Sequence, residues 1–382
     1  MTSTPSMAPL AGVLVLDLSR VLAGPFCTML LADLGARVIK VEHPSEGDVT
    51  RGWGPPEEPE SGLSAYFLAV NRNKESIALD LGAREGRGSA EALARSADVL
   101  VENFAPGVLE RFGISLERLR AENPRLVTAS ITGFGREGPD ATSPGFDLLA
   151  QAGAGLMAAT GTAEGGPVKV GVAVSDLFAG SFAAVGILGA LAARERTGRG
   201  GHVETDLFSS TLAALINVAQ ASLLTGQEPV RHGNAHPQIV PYRKFSAADG
   251  DFVLAVGTDR QFARLASMLG REEWAQDPGY RTNSARVANR RRLEKALAEE
   301  FARAPRAEWL ERCRAAGIPA GPVRGAFEAL GSETARALGA VLEARGIRFV
   351  ASPIRVAGHV APLAFPPRLD ADGPRIRAEF KL

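Results

Sequence analysis

One carboxylate, Asp176, lies where it can act as a nucleophile. The apolar, β-branched run Val168–Val174 predicts a strand, and helical spacing of apolar residues begins at Leu177. Ser175 is a suitable N-cap, because its hydroxyl can accept a hydrogen bond from a free first-turn amide. Those amides and the helix dipole favour an ionised first-turn carboxylate, and an exposed Asp with a pKa of about 3.9 is ionised at pH 7 anyway. The alternative is an acidic residue that only stabilises its helix.

Other reactive patterns are missing from the sequence. The first strand–helix turn, Ser19–Pro25, is not Gly-x-Gly-x-x-Gly, and there is no P-loop, His-Glu-x-x-His, Gly-x-Ser-x-Gly or Cys-x-x-Cys motif. This weighs against a nicotinamide-dependent oxidoreductase, an ATP hydrolase, a zinc peptidase and a serine hydrolase. Phosphate binding stays open, because the start of any helix that follows a strand offers free amides to an anion.

Composition restricts the partners and the compartment. Acidic and basic side chains balance at 43 each, so no overall field favours nucleic acid or an anionic membrane. Cys27 and Cys313 lie far apart and form no disulfide or metal pattern, which fits a reducing compartment. The stretch Met1–Pro9 lacks the pattern of a signal peptide, and no apolar run reaches the length of a membrane span. We therefore expect a cytoplasmic protein without a metal.

The first half of the chain alternates between strand and helix patterns. Gly12–Ser19 predicts a strand, Pro25 opens a helix that ends at Gly35, and Arg37–Glu42 predicts the next strand. The same alternation continues with strands at Ser76–Leu81, Asp98–Glu102, Leu126–Thr132 and His202–Asp206, and helices at Arg84–Arg95, Pro106–Phe112, Leu116–Glu122, Leu177–Arg194 and Leu207–Leu224. This order predicts an α/β domain with helices on both faces of a parallel sheet.

The composition changes near residue 229. Pro229–Pro241 is polar and irregular, and it carries His232 and His236, which can line a site. A hairpin at Tyr242–Val256 and the helices that follow predict a smaller α+β domain. We therefore expect a large domain at 1–200, a linker at 201–241, the small domain at 242–325 and a return segment at 326–382.

Several long motifs occur in one order along the chain. They are Val21–Glu42, Asn71–Lys74, Ala97–Gly107, Gly145–Ala152, the residue Asp176 and Arg196–Gly200. Together they resemble the family III (CaiB/BaiF-type) CoA-transferases, from about Leu10 to Val323. The segment Arg231–Tyr242 is most similar to the branch of that family that uses dicarboxylic acids such as succinate.

This resemblance implies a fold and a site. The subunit would be an open ring, with a Rossmann-like large domain and a smaller domain, and two rings would interlock as a homodimer. Asp176 would be the nucleophile, which forms an aspartyl–CoA thioester, and Asp147 would support it. CoA would be a co-substrate without any permanently bound cofactor. The implied CoA contacts are Leu22, Ala23, His43, Leu79, Asp80, Asn103, Phe104, Ala105 and Arg111, and His232 and His236 are candidate substrate contacts.

Two features depart from the family pattern. His43 stands where the formyl-CoA branch has an arginine, and the segment from Pro366 replaces the usual C-terminal motif. A third position bears on an alternative function, an acyl-CoA racemase, which needs a second acid–base group at the substrate α-carbon. Racemases of the family have a histidine directly after the glycine that corresponds to Gly145, whereas Phe146 cannot carry a proton. A non-catalytic CoA-binding protein is the other alternative.

The expected chemistry makes two physical demands. A mixed anhydride on the aspartate hydrolyses unless water is excluded. Each tetrahedral oxyanion also needs hydrogen-bond donors, most simply backbone amides. The loop Val256–Gln261 is a candidate source of such amides.

Overall fold

The computed structural model describes residues 8–382, so Met1–Met7, part of the stretch without a signal-peptide pattern, lie outside the described residues. Its strands are β1 (Leu14–Asp17), β2 (Arg37–Glu42), β3 (Lys74–Ala78), β4 (Val99–Glu102), β5 (Val127–Thr132), β6 (Gly161–Thr162), β7 (Gly166–Pro167), β8 (His202–Asp206), β9 (Tyr242–Ser246), β10 (Asp251–Ala255), β11 (Ala320–Pro322), β12 (Val341–Ala344) and β13 (Ile347–Val350).

Its α-helices are α1 (Ala23–Asp33), α2 (Ala65–Val70), α3 (Arg84–Ser96), α4 (Val108–Arg111), α5 (Leu116–Glu122), α6 (Asp147–Gly153), α7 (Leu156–Ala159), α8 (Val174–Thr197), α9 (Leu207–Ala214), α10 (Ile216–Thr225), α11 (Asp259–Met268), α12 (Asn283–Ala288), α13 (Arg290–Phe301), α14 (Arg306–Ala315), α15 (Ala326–Leu330), α16 (Glu333–Ala337) and α17 (Gly373–Phe380). Short 3-10 turns occupy Val49–Gly52 and Glu272–Ala275.

The central sheet is parallel, with the strand order β3-β2-β1-β4-β5-β8. Alternate side chains along its strands point to opposite faces of the sheet and belong to two separate hydrophobic cores. Val15 and Val101 pack on the side of α1 and α8, whereas Leu16 and Leu100 pack on the side of α3 and α5. The predicted α/β arrangement is therefore confirmed. The order reverses between β1 and β4, and ligands of such sheets bind at the carboxyl ends of the strands beside this reversal.

The chain divides into two compact units. The larger unit holds the central sheet and runs to Met157, then through Lys169–Leu224 and Glu333–Leu382; the smaller unit comprises Ala158–Val168 and Thr225–Ser332. The smaller unit is built on the antiparallel sheet β11-β10-β9, and its core includes Phe252, Phe301 and Trp309. The domain bounds inferred from the sequence remain a prediction.

Two predicted elements are wrong. Val168–Val174 forms no strand; in the loop before α8, the side chain of Gln151 bonds Val170 N and Val172 O in place of a strand ladder. The predicted helix Leu207–Leu224 is two helices, α9 and α10, which meet at an angle of 82°. Ile216 at the break has a φ of 41°, which is outside the helical region and ends the continuous run.

Helix α8 is long and apolar enough, by length and composition, to cross a membrane, and the bent pair α9–α10 passes the same test. Within the larger unit α8 is a core helix. Ala179, Ala183 and Ile187 are buried against α1 and the sheet. This packing accounts for the apolar residues on one face of α8, whereas Phe182 and Val185 on the helix are exposed.

Candidate active site

Asp176 is the third residue of α8, in its first turn, as predicted. The predicted N-cap is wrong, because the N-cap position is Ala173 and carries no side-chain hydrogen bond. Ser175 lies inside the helix and is buried, and its hydroxyl accepts a hydrogen bond from Thr211 Oγ1 at 2.8 Å. A carboxylate from a different helix accepts the first-turn amide instead.

That carboxylate is Asp147, the first residue of α6. Its Oδ1 accepts a hydrogen bond from the amide of Ser175 at 2.8 Å, so a free amide of the first turn of α8 is satisfied from a neighbouring helix. Its Oδ2 accepts from Gln151 Nε2 at 2.7 Å, and Gln151 Oε1 accepts from the amide of Val170 at 2.9 Å. Asp147 and Gln151 therefore fix both the loop before α8 and the start of the helix that carries Asp176.

The start of α1 is the other neighbour of Asp176. Gly180 follows Asp176 by one helical turn on the same face of α8, and a Cβ on Gly180 would lie 2.4 Å from the carbonyl oxygen of Ala23. Only glycine permits this approach of α8 to α1. The approach places the backbone of Ala23 beside Asp176, where its amide lowers the pKa of the carboxylate.

The surroundings of Asp176 disfavour its charge. Burial and then the negative charge of Asp147 raise the pKa of Asp176, only the amide of Ala23 lowers it, and the net pKa is about 7. The expectation of an exposed, ordinary carboxylate is therefore wrong, because Asp176 is half-buried and lies beside a second carboxylate. Tyr66 on α2 faces the same group: burial, followed by the charges of Asp176 and Asp147, raises the pKa of its phenol to about 12.

A cavity of about 260 Å3 opens at the carboxyl ends of β1 to β4, beside the reversal in strand order. Four of the nine residues that the resemblance assigns to CoA line it, namely His43, Leu79, Asp80 and Phe104. Leu22, Ala23, Asn103, Ala105 and Arg111 do not line this cavity. Leu22 and Ala23 are buried where α1 begins, whereas Ala105 and Arg111 are exposed.

Arg20 lines the same cavity and is absent from the residues predicted to bind CoA. Asn103 holds the backbone on both sides of it: Oδ1 accepts from Arg20 N at 2.8 Å and Nδ2 donates to Arg20 O at 2.7 Å. The guanidinium stands 5.0 Å from the ring centroid of Phe104. The sequence feature that could have identified Arg20 is its place shortly after β1, because ligands of such sheets bind at the carboxyl ends of the strands.

Three further residues singled out in the sequence, Phe146, His232 and His236, do not line this cavity. Phe146 is 63% exposed at the start of α6. In the smaller unit, His236 Nδ1 accepts a hydrogen bond from Gln238 N at 3.1 Å, and burial lowers the pKa of His232. The substrate contacts assigned to both histidines remain a prediction.

The predicted oxyanion loop has occupied donors. The amides of Gly257 and Thr258 both donate to Gln261 Oε1, at 2.9 and 3.1 Å, as part of the capping box of α11. Gln261 must therefore move before these amides can serve an oxyanion. Among residues 8–382, no group of three or more His, Cys, Asp or Glu side chains is arranged to hold a metal ion.

Comparison with known proteins identifies the chain. Residues 10–373 match the family described as CoA-transferase family III. An acetyl-CoA:oxalate CoA-transferase of Acetobacter aceti is 42% identical over 97% of this chain and 96% of its own. A succinyl-CoA:glutarate CoA-transferase of Mus musculus is 46% identical over 83% of this chain and 72% of its own.

A solved structure gives the same answer. A CaiB/BaiF family protein from Brucella suis is 42% identical, with a TM-score of 0.88 over 97% of this chain and 99% of that one. The family match spans both Asp147 and Asp176 as well as the four cavity residues. The chain therefore belongs to the family III CoA-transferases, enzymes that move CoA from an acyl-CoA thioester to a free carboxylic acid.

Proposed function

We propose that Asp176 is the nucleophile and carries CoA as an aspartyl–CoA thioester. The observation that supports this most is the environment of its carboxylate at the start of α8. It has a raised pKa of about 7, a second carboxylate beside it and one backbone amide as a donor. A carboxylate that is poorly solvated and lacks a cationic partner is poised for reaction, because forming a covalent bond removes its charge.

The transfer proceeds through two anhydrides. Asp176 attacks the carbonyl of the donor thioester, the C–S bond breaks, and CoA leaves as a thiolate. The thiolate then attacks the side-chain carbonyl of Asp176, the anhydride C–O bond breaks, and the donor acid departs. The acceptor carboxylate attacks the resulting thioester and releases the thiolate again. In the last step the thiolate attacks the acceptor carbonyl, which forms the product and restores Asp176.

Asp147 contributes in two ways. It accepts the amide of Ser175 and so fixes the first turn of α8. Its charge also raises the free energy of ionised Asp176, as the direction of the Asp176 pKa indicates. Acylation neutralises Asp176 and removes the repulsion, so Asp147 favours the covalent states over the starting carboxylate.

The cavity beside β1 to β4 is the proposed CoA subsite. Phe104 and Leu79 supply apolar surface, and Arg20 and His43 supply donors for a phosphate. His43 replaces an arginine of the formyl-CoA branch, and Arg20 provides a permanent positive charge in the same cavity. Leu22, Ala23, Asn103, Ala105 and Arg111 remain proposed contacts along the rest of CoA.

Dicarboxylic acids are the proposed substrates, with succinyl-CoA as a donor. The substrates for which the relatives are named support this class: succinyl-CoA with glutarate in one and acetyl-CoA with oxalate in another. A transfer assay tests the proposal, with succinyl-CoA and acetyl-CoA as donors and glutarate, oxalate, mesaconate, acetate and butyrate as acceptors. Faster transfer to the dicarboxylates supports it, and equal or faster transfer to acetate and butyrate contradicts it.

A homodimer is the proposed assembly. Helices α6, α8 and α9 of the larger unit pack against one another and keep large apolar side chains exposed, among them Leu148, Leu149, Phe182, Val185 and Leu212. Apolar surface of this kind marks protein interfaces. Interlocked rings would not separate on dilution, so sedimentation at nanomolar concentration should show a dimer. A monomer would contradict the assembly. A cytoplasmic location is proposed with it.

A further inference from the structure

Four charged side chains lie fully buried beneath the connection from β1 to α1. We call them the buried quartet: Asp17, Lys40, Asp48 and Lys74. They form two ion pairs, Lys40 Nζ with Asp48 Oδ2 at 3.0 Å and Lys74 Nζ with Asp17 Oδ2 at 3.1 Å, and all four side chains are 0% exposed. The proposed transfer chemistry uses none of them.

The two lysines bind the backbone of that connection at its two ends. Lys40 Nζ donates to the carbonyl of Ser19 at 2.7 Å, and Lys74 Nζ donates to the carbonyl of Pro25 at 2.9 Å. Lys74 also donates to Asn71 Oδ1 at 3.0 Å. The charges of the two lysines therefore fix both Ser19, two residues after β1, and the first turn of α1.

The two carboxylates bind amides of the same connection. Asp17 Oδ1 accepts from Ser19 N at 2.9 Å, and Asp48 Oδ2 accepts from Val21 N at 3.2 Å. Val21 has a φ of 69°, a left-handed conformation that a β-branched residue adopts only under constraint. Asp48 thus holds the chain in a strained turn directly before Leu22 and Ala23.

Stability alone does not account for four buried charges. The free energy needed to remove two ions from water commonly exceeds the free energy that their salt bridge gains. Apolar side chains of the same volume often stabilise such a site as well or better. The quartet binds the connection on both sides of the residue whose amide contacts Asp176. Its geometry therefore points to placement of that amide.

We propose that the buried quartet is a positioning element that holds the amide of Ala23 against the carboxylate of Asp176. This inference rests on the proposed nucleophile and deepens it. The groups that face Asp176 are the amide of Ala23 on α1, the carboxylate of Asp147 on α6 and the phenol of Tyr66 on α2. Of these three, only the amide of Ala23 favours the ionised nucleophile.

The test is the double variant Asp17→Asn with Lys74→Met, which removes one ion pair without leaving a lone charge. The pH dependence of kcat/KM should change, because a displaced amide no longer favours ionised Asp176. We expect the acid limb of the pH profile, the range in which kcat/KM rises with pH, to move to higher pH. At pH 6, kcat/KM should fall at least tenfold in protein that circular dichroism shows to be folded.

The matched control is the pair Arg72→Met with Asp33→Asn, which removes another buried ion pair of the larger unit at the far end of α1. It should alter thermal stability and leave the acid limb in place. An unmoved acid limb in the quartet variant, or an equal shift in both pairs, overturns the inference. If the double variant does not fold, Lys40→Met with Asp48→Asn removes the other ion pair of the quartet, again without leaving a lone charge, with the same expected direction and the same contradicting result.

The result separates the two proposals. Full transfer by Asp176→Asn would mean that the nucleophile proposal fails. Loss of transfer by Asp176→Asn together with an unchanged acid limb in the quartet variant would remove only the positioning role.

Discussion

Asp17 is fully buried and Asp176 is half-buried in the same unit, yet the pKa values of these two carboxylates move in opposite directions. Burial raises the pKa of both. At Asp17, Lys74 and Lys40 outweigh burial, with help from the hydroxyls of Ser19 and Thr28, and the pKa falls to about 2. At Asp176, no cation among residues 8–382 offsets burial, the charge of Asp147 adds repulsion, and the pKa rises to about 7.

The difference separates a structural carboxylate from a reactive one. Asp17 binds Lys74, Thr28 and Ser19 through both oxygens, so attack on a thioester would break several bonds at once. Asp176 would give up only the stabilisation from the amide of Ala23. Burial makes the ionised form of a carboxylate costly. The neighbouring groups then decide whether that charge is stabilised, as at Asp17, or left free to react, as at Asp176.

The largest expected effect is on transfer by Asp176→Asn. The change keeps the size of the side chain but cannot form an anhydride, so the rate should fall by more than about 1000-fold, or roughly 4 kcal/mol of barrier. Steady-state transfer assays on protein checked by mass spectrometry for deamidation measure it. The control Glu85→Gln alters an exposed first-turn acid of α3 and should keep normal turnover. More than a tenth of normal turnover in Asp176→Asn would falsify the covalent route.

A smaller effect is expected from Arg20→Gln. Loss of a charged donor at the mouth of the cavity should raise the KM for acyl-CoA about tenfold, equivalent to about 1.4 kcal/mol, with kcat little changed. Arg84→Gln, a change at an exposed arginine outside the cavity, serves as the control. An unchanged KM in Arg20→Gln would remove Arg20 from the CoA subsite.

The third expected effect is a shift in pH dependence. Because the nucleophile must be ionised, wild-type kcat/KM should rise with pH through about 7. Asp147→Asn removes the neighbouring charge, so the acid limb should move to lower pH even where the maximum rate falls. An acid limb that stays in place would show that Asp147 does not act on Asp176 through its charge.

The smallest effect is on stability. A folded-state pKa of about 7, above the model value of 3.8, means that folding takes up a proton between these values, so the stability from Asp176 declines as pH rises through about 7. Asp176→Asn removes that loss. The variant should melt at least about 2 °C higher than wild type at pH 8 and close to it at pH 4. A lower melting temperature at pH 8 would indicate a carboxylate that stabilises its helix.

Much of the larger unit is predictable from local sequence. Arg37–Glu42 is a strand with the predicted bounds, and the core helix α8 extends only a few residues beyond its apolar pattern. Such elements depend on periodicity within one segment. The break at Ile216 had no such signal, since the apolar run continues across it.

The site was predictable in part. The sequence located Asp176 in a first turn, but its raised pKa depends on Asp147, 29 positions earlier, and on the burial of the helix start. Arg20 and Asn103 meet because β1 and β4 are neighbours in the sheet, a pairing that no local pattern contains. Contacts between distant segments therefore decide which charges are stabilised, and sequence periodicity does not report them.

The most direct test of the nucleophile is a trapping experiment. Wild-type enzyme is incubated with acyl-CoA in the absence of an acceptor acid, treated with borohydride, digested and analysed by mass spectrometry. The account predicts that CoA first adds its mass to the peptide that carries Asp176, and that borohydride then converts this residue, and not Asp17 or Asp147, to an alcohol. An unmodified Asp176 in enzyme that turns over normally would contradict it.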